Sequence, residues 1–148
     1  MPAYQHLLVA LDLSPESEAI LQQAVAFAAL YEARISLIHV VEQARISGPY
    51  LNLDFSSLEH QIKIDSEKRM SQLAASSGIS REDCIIELGV ASQLIHEYAE
   101  RLGADLIFLG SHGRHGVGLL LGSTANAVLH GANCDVLAVR IHAPTLGT

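Results

Sequence analysis

The chain has no tryptophan, and only three phenylalanines and four tyrosines among 148 residues. A core built on large aromatic wedges is thereby excluded, and the 49% hydrophobic content has to come mainly from Leu, Ile, Val and Ala. Such residues suit sheet strands and close helix packing and argue against a disordered chain. Positive charge is scarce as well: 9 Lys and Arg stand against 16 Asp and Glu, for a formal net charge of −7. No basic face for a nucleic-acid backbone results, so DNA or RNA partners are not expected. A small phosphate ligand is still compatible, because it needs local backbone N–H groups and one or two cations rather than overall positive charge. The two cysteines, Cys84 and Cys134, are far apart and lack CxxC spacing. They read as small hydrophobes rather than a redox or metal pair. No apolar run is long enough to cross a bilayer, and the opening MPAYQH lacks the charged-then-apolar order of a signal segment. A soluble, cytoplasmic protein of one domain, residues 1–148, is the expectation.

What is present is a regular alternation. His6–Leu11 is a short, almost unbroken apolar run, as expected of a strand covered on both faces. Ser14-Pro15-Glu16 then predicts a helix start, with Ser14 as N-cap and Pro15 in the first position. Ile20, Ala24, Phe27 and Tyr31 follow at helical spacing, and the helix should stop near Glu32. Arg34–Val41 reads as a second strand. Residues 42–56 lose any period, and 57–76 read as a polar helix with a thin apolar face. Cys84–Leu88 is a third strand. A helix with Leu94, Ile95, Tyr98, Ala99 and Leu102 follows, expected to be capped by Ser92 and closed by Gly103. Leu106–Leu109, a helix over 123–130 and Val136–Val139 complete the series. Strand and helix alternating in this way predict an α/β fold: a single open parallel sheet with helices on both faces and right-handed crossovers.

In such sheets ligands bind beyond the carboxyl ends of the strands. Asp12 follows the first strand and Val40-Val41-Glu42 close the second. The fourth is followed by Gly110-Ser111-His112-Gly113-Arg114-His115-Gly116-Val117-Gly118-Leu119-Leu120-Leu121-Gly122-Ser123-Thr124. Five glycines in thirteen positions let the backbone approach a ligand closely. The segment runs into a helix start, where free N–H groups, the helix dipole and the hydroxyls of Ser123 and Thr124 suit a phosphate, and Arg114 offers a compensating charge. A plain connector with Ser123 as helix cap is the competing reading, since the loop is neither GxxxxGK[ST] nor a GxGxxG after the first strand. His112 and His115 have no acidic or thiol partner nearby in sequence, so no metal site is expected. Ser111 or Ser123 beside His112 lacks the G-x-S-x-G elbow of a nucleophile. His39, inside an apolar strand, reads as a satisfied core histidine.

Leu8–Ser17, Ser36–Val41, Ala104–Gly113, Gly122-Ser123-Thr124 and Cys134–Arg140 together resemble the universal stress protein family over essentially the whole chain. The resemblance implies a Rossmann-like, adenine nucleotide alpha hydrolase-like sheet of five strands in the order 3-2-1-4-5, and a homodimer through the last strand. It further implies ATP, with Mg2+ as its accompanying ion, on a loop of the form Gly, two residues, Gly, nine residues, Gly, then Ser or Thr. Carried onto this chain, Ala10, Leu11, Asp12 and Val40 would face the adenosine. Leu109, Gly110, His112 and Gly113, with Arg114, would line the ribose and phosphates. Gly122, Ser123 and Thr124 would donate to phosphate oxygens. The chain departs from that pattern in one respect: eight residues, not nine, separate Gly113 from Gly122. The shorter spacing resembles the family type that does not bind ATP, whereas the second glycine and the Gly-Ser pair resemble the type that does.

Two functions follow as expectations. One is a stress-response regulator that binds ATP and hydrolyses it slowly or not at all, because Asp12 has no partner carboxylates. The other is a dimeric interaction module of the same fold without a nucleotide. A receiver-type phosphotransferase is disfavoured, since Gly89 rather than Asp follows the third strand and no Lys follows the fifth. A nucleotidyl transferase is disfavoured by the absence of His-x-x-His after the first strand.

Overall fold

The computed structural model describes residues 3–42, 55–112 and 121–141, with the side chains of 55 and 56 left aside. Five strands form one parallel sheet: β1 (His6–Ala10), β2 (Arg34–Val41), β3 (Cys84–Leu88), β4 (Leu106–Gly110) and β5 (Asp135–Val139). Their order in space is β3-β2-β1-β4-β5. Among the described residues, four helices, α1 (Ser17–Tyr31), α2 (Phe55–Ser76), α3 (Ala91–Leu102) and α4 (Ser123–Gly131), alternate with the strands. The expected fold class and strand order are the observed ones.

The central strands are apolar on both sides because both sides are covered. Leu7 and Val9 of β1 join Leu37, Leu106 and Phe108 under α1 and α2, with Ile20, Leu21, Ala24, Ala28, Met70 and Leu73. Leu8 joins Ile38, Ile107 and Leu109 on the opposite face, under α3 and α4, with Ile95, Ala99, Ala125 and Val128. Each fully buried side chain of this size contributes roughly 1.5–3 kcal/mol by leaving water. Two such layers explain how so few aromatics suffice. At the amino-terminal edge of the sheet the Asp105 carboxylate accepts from the amides of Gln5 and His6, and the amide of Asp105 donates to the His6 carbonyl. β1 and β4 are thereby held in register from their first residues.

Several local expectations need correction. Ser14 does not cap α1. The Asp12 carboxylate accepts from the Ser14 amide at 2.9 Å and from the Ser17 hydroxyl at 3.2 Å. A separate turn forms over 14–17, and the helix begins at Ser17. Ser92 does not cap α3 either. Gly89, at φ 151°, turns the chain immediately after β3, Val90 stands extended at the N-cap, and Ser92 falls inside the first turn. Ser123 is likewise no cap, because the N-cap of α4 is Gly122. A short 3-10 turn, Arg81–Asp83, capped by the Ser80 hydroxyl, leads into β3 and was not expected from the sequence. Gly103 closes α3 as expected, at φ 69°. Both cysteines are half-buried free thiols, and burial pushes each thiol up from its ordinary pKa.

Candidate functional site

The carboxyl ends of β2, β1 and β4 open into a cleft of about 700 Å³, within the range of roughly 300–1,000 Å³ usual for small-molecule sites. The strand order accounts for its place. β1 is flanked by β2 on one side and β4 on the other. The chain leaves β1 toward α1 on one face and β4 toward α4 on the opposite face, so the layers diverge above the sheet.

Of the twelve residues singled out from the sequence, ten line this cleft: Ala10, Leu11, Asp12, Val40, Leu109, Gly110, His112, Gly122, Ser123 and Thr124. The other two, Gly113 and Arg114, lie outside the described residues. The lining also includes residues that sequence reasoning left out: Ile20 of α1, His39 and Glu42 at the end of β2, Ile62 of α2, and Ala91 and Ile95 of α3. Glu42 closes the strand-end segment Val40-Val41-Glu42, where a ligand was expected, but only Val40 of the three was assigned to the site. Ile62 gave no signal, because only packing brings α2 over β2. His39, expected in the core, lines the cleft instead, with its Nδ1 2.8 Å from the Leu11 carbonyl. That bond makes Nδ1 the donor and ties the turn after β1 to β2.

The two ends of the cleft differ in chemistry. Toward β2 the walls are Ile38, Val40, Ala91, Ile95 and Ile62. Asp12 stands between the ends. Its Oδ1 is engaged with Ser14 and Ser17, and its Oδ2 has no partner among the described residues. Leu13, beside it, is held at φ 61°, a left-handed conformation that costs a residue with a side chain roughly 1–2 kcal/mol. Toward β4 the groups are polar. Gly110 runs so close to α1 that a Cβ there would meet Ile20 Cδ1 at 2.7 Å. The Ser111 hydroxyl lies 2.9 Å from His112 Nδ1, while His112 Nε2 is buried and has no hydrogen-bond partner among the described residues. An unmatched buried nitrogen costs roughly 1–3 kcal/mol until something pairs with it.

Helix α4 begins at this end. Its first intrahelical bond runs from the Asn126 amide to the Gly122 carbonyl, which leaves the amides of Ser123, Thr124 and Ala125 without helical acceptors. The Gly122 amide is not among the available donors. It donates to the Ser111 carbonyl at 2.6 Å. Its amide thus fixes the helix end to β4, and the three amides that follow have no acceptor among the described residues. Among the described residues, no group of three or more His, Cys, Asp or Glu side chains is arranged to hold a metal ion.

Comparison with known proteins agrees with this architecture. The chain matches the model of the universal stress protein family over residues 3–140. It is 45% identical over 143 residues to universal stress protein A homolog 2 of Coxiella burnetii, covering 95% of this chain and 98% of that protein. It is 38% identical over 138 residues to homolog 1 of the same organism, covering 92% and 96%. Among solved structures, the hypothetical protein MJ0577 is 25% identical with a TM-score of 0.80, over 95% of this chain and 99% of that one. Universal stress protein UspA from Lactobacillus plantarum is 27% identical with a TM-score of 0.72, over 93% and 98%. A universal stress protein solved in complex with cAMP shares the fold at 24% identity and a TM-score of 0.60, over 93% and 97%. This chain belongs to the universal stress protein family.

Proposed function

We propose that the protein is a stress-response regulator that binds an adenine nucleotide, ATP, along the cleft, with the base toward β2 and the phosphates toward α4. The observation that carries this reading is the polar end of the cleft. Three helix-end amides without helical acceptors and the residue His112 line one space. Such groups, with the positive end of a helix dipole behind them, suit an anion. The apolar walls at the far end suit a flat heterocycle, and the spare oxygen of Asp12 between them suits a sugar hydroxyl. Neighbouring parallel strands are about 4.8 Å apart, so β2 and β4 stand roughly 10 Å apart across β1, a separation that base, sugar and first phosphates can bridge. Likeness of fold to a protein in complex with cAMP, itself an adenine compound, is in keeping with the reading. Gly113 and Arg114 would complete the phosphate cradle, and Mg2+ would arrive on the nucleotide.

Turnover should be slow or absent. Asp12 already accepts from Ser14 and Ser17 through Oδ1, so that oxygen is engaged in holding the turn rather than free to serve as a general base. Two copies would pair across a two-fold axis through β5, whose outer edge carries no further strand among the described residues. No helix among the described residues is long and apolar enough to cross a membrane, and the reading includes a cytoplasmic setting.

The test is calorimetry with ATP on the wild type and on a Gly113→Ala, Gly122→Val double variant, with the ultraviolet and mass spectra of the natively purified protein. Saturable binding that the double variant loses supports the reading, as does nucleotide carried through purification. Equal affinity in both proteins would remove the proposed site. No binding at all would favour the ligand-free interaction module, toward which the engaged Gly122 amide already leans.

A further inference from the structure

From the length and exposure of α2, we infer that the amino-terminal half of this helix is a flap over the cleft, whose helical order is coupled to occupancy of the site. The inference rests on the nucleotide reading above and adds to it an opening and closing of the same cleft.

Helix α2 is too long for the strands it packs on. Its 22 residues rise about 33 Å. β2, of 8 residues, and β3, of 5, span about 26 Å and 17 Å. The mismatch divides the helix in two. Met70, Leu73 and Ala74 are buried in the layer over the sheet, where α2 meets β2 and β3. No residue of 57–65 is buried, and Ser66 is the first that is. The apolar stripe nevertheless continues through the exposed half, since Leu58 and Ile62 stand at four-residue spacing before Ser66 and Met70. Leu58 is 52% exposed and Ile62 41%. Glu59, on the same side of the helix, is the one residue of 57–65 that is partly covered. That side is therefore the one turned toward the body of the protein.

Beneath the stripe lies the cleft. Ile62 lines it from the layer of α1 and α2, and Ala91 and Ile95 of α3 line it from the opposite layer. A ligand seated between these layers is the occupant that would cover Ile62, and Leu58 one turn further out. Without it, the 57–65 half rests on helix propensity and on an exposed bond from Gln61 Nε2 to Asp65 Oδ1 at 3.0 Å. Neither holds a short, unpacked stretch of helix strongly. Such segments open locally at low free energy while the packed remainder stays shut. A ligand that covers the stripe favours the helical form, and its affinity scales with the fraction of protein already in that form.

The experiment is hydrogen exchange read by mass spectrometry on the full-length protein, with and without saturating ATP, joined to calorimetry on Ile64→Ala and Ile64→Gly. Ile64 is exposed, lies off the stripe and is not among the residues lining the cleft. The pair therefore changes helix propensity without removing a ligand contact. Melting curves check that both variants fold. The amides of 59–65 should exchange about tenfold more slowly when ATP is bound, and those of 70–74 should not change. Ile64→Gly should bind ATP roughly twofold to fivefold more weakly than Ile64→Ala. Exchange over 59–65 that is the same with and without bound ATP would overturn the flap while leaving the nucleotide site standing. Equal affinity in the two Ile64 variants would do the same. Wild-type protein that binds no ATP would overturn the nucleotide reading and the inference with it.

Discussion

The amide of Gly122 donates to the carbonyl of Ser111 at 2.6 Å. One bond thus joins the start of α4 to the residue just past β4, and it fixes where the open amides of the helix point. Gly122 stands at φ −61° and ψ 153°, an extended conformation that tolerates proline as the next residue. The first helical position, Ser123, is also where proline is best accepted. Ser123→Pro should therefore fold with a melting temperature close to that of the wild type. It should weaken ATP binding by roughly tenfold, as expected for the loss of a charge-assisted donor. Ser123→Ala, which keeps the amide, should lose much less. Calorimetry on the two variants separates the amide from the hydroxyl.

At Gly110 the close approach of α1 leaves no room for a side chain. A Cβ there would press on the tip of Ile20, which can yield by turning. Gly110→Ala should therefore destabilise by about 1–2 kcal/mol and Gly110→Val by more. Adding Ile20→Val should recover part of the loss for the alanine variant. Urea titrations of the two single variants and the Gly110→Ala, Ile20→Val double variant measure this.

The buried Nε2 of His112, without a hydrogen-bond partner among the described residues, predicts a trade between stability and binding. Replacing His112 alone would strand the Ser111 hydroxyl, its partner through Nδ1. The double variant Ser111→Ala, His112→Phe removes the pair together. Unliganded, it should be at least as stable as the wild type, because an unsatisfied polar atom has gone. Its ATP affinity should be lower. A double variant that is less stable and binds normally would mean that the imidazole serves packing alone.

Acidity should be felt at the opposite edge of the sheet. His6 is buried, and its Nε2 is 2.8 Å from the Ser36 hydroxyl. Burial, together with the Arg34 cation, holds its pKa below the ordinary histidine value. Below about pH 6.5 the unfolded chain takes up a proton that folded His6 resists. The stabilisation is thus fully present above that pH and is lost as pH falls through the folded pKa. Denaturation midpoints from pH 7.5 to 5 should decline, and His6→Gln should flatten the part of the decline due to this group.

Glu32, just past α1, sits at φ 54° and ψ 38°. A glycine there would avoid the left-handed penalty at some cost in chain entropy. Glu32→Gly should stabilise by about 0.5–1 kcal/mol in a denaturant titration. Gly103 shows the arrangement at the end of α3, where the residue is already glycine.

The strands were the most legible part of the sequence. Arg34–Val41 and Cys84–Leu88 have the bounds their apolar, β-branched composition predicts, although β2 is buried only in part and β3, at the end of the strand order, is half-buried along its length. Helix starts were less legible. A serine before a helix can cap it, but the Asp12 side chain took the Ser14 amide and the Ser17 hydroxyl, and the turn this made moved the start of α1. At α3 the backbone of Gly89 and Val90 made the turn before Ser92 could cap it. The cleft was legible where strand ends supply it. Ile62, Ala91 and Ile95 reach it from helices, and their positions depend on packing that no local pattern carries.

The most direct test of the central claim is an amide NMR titration of the isotopically labelled protein with ATP. The account predicts that the largest shifts fall on Ser123, Thr124 and Ala125, with a second group at Asp12 and Val40–Glu42, and that Ser123→Pro weakens the response at both. Shifts confined to the β5 edge, or none at millimolar ATP, would contradict it.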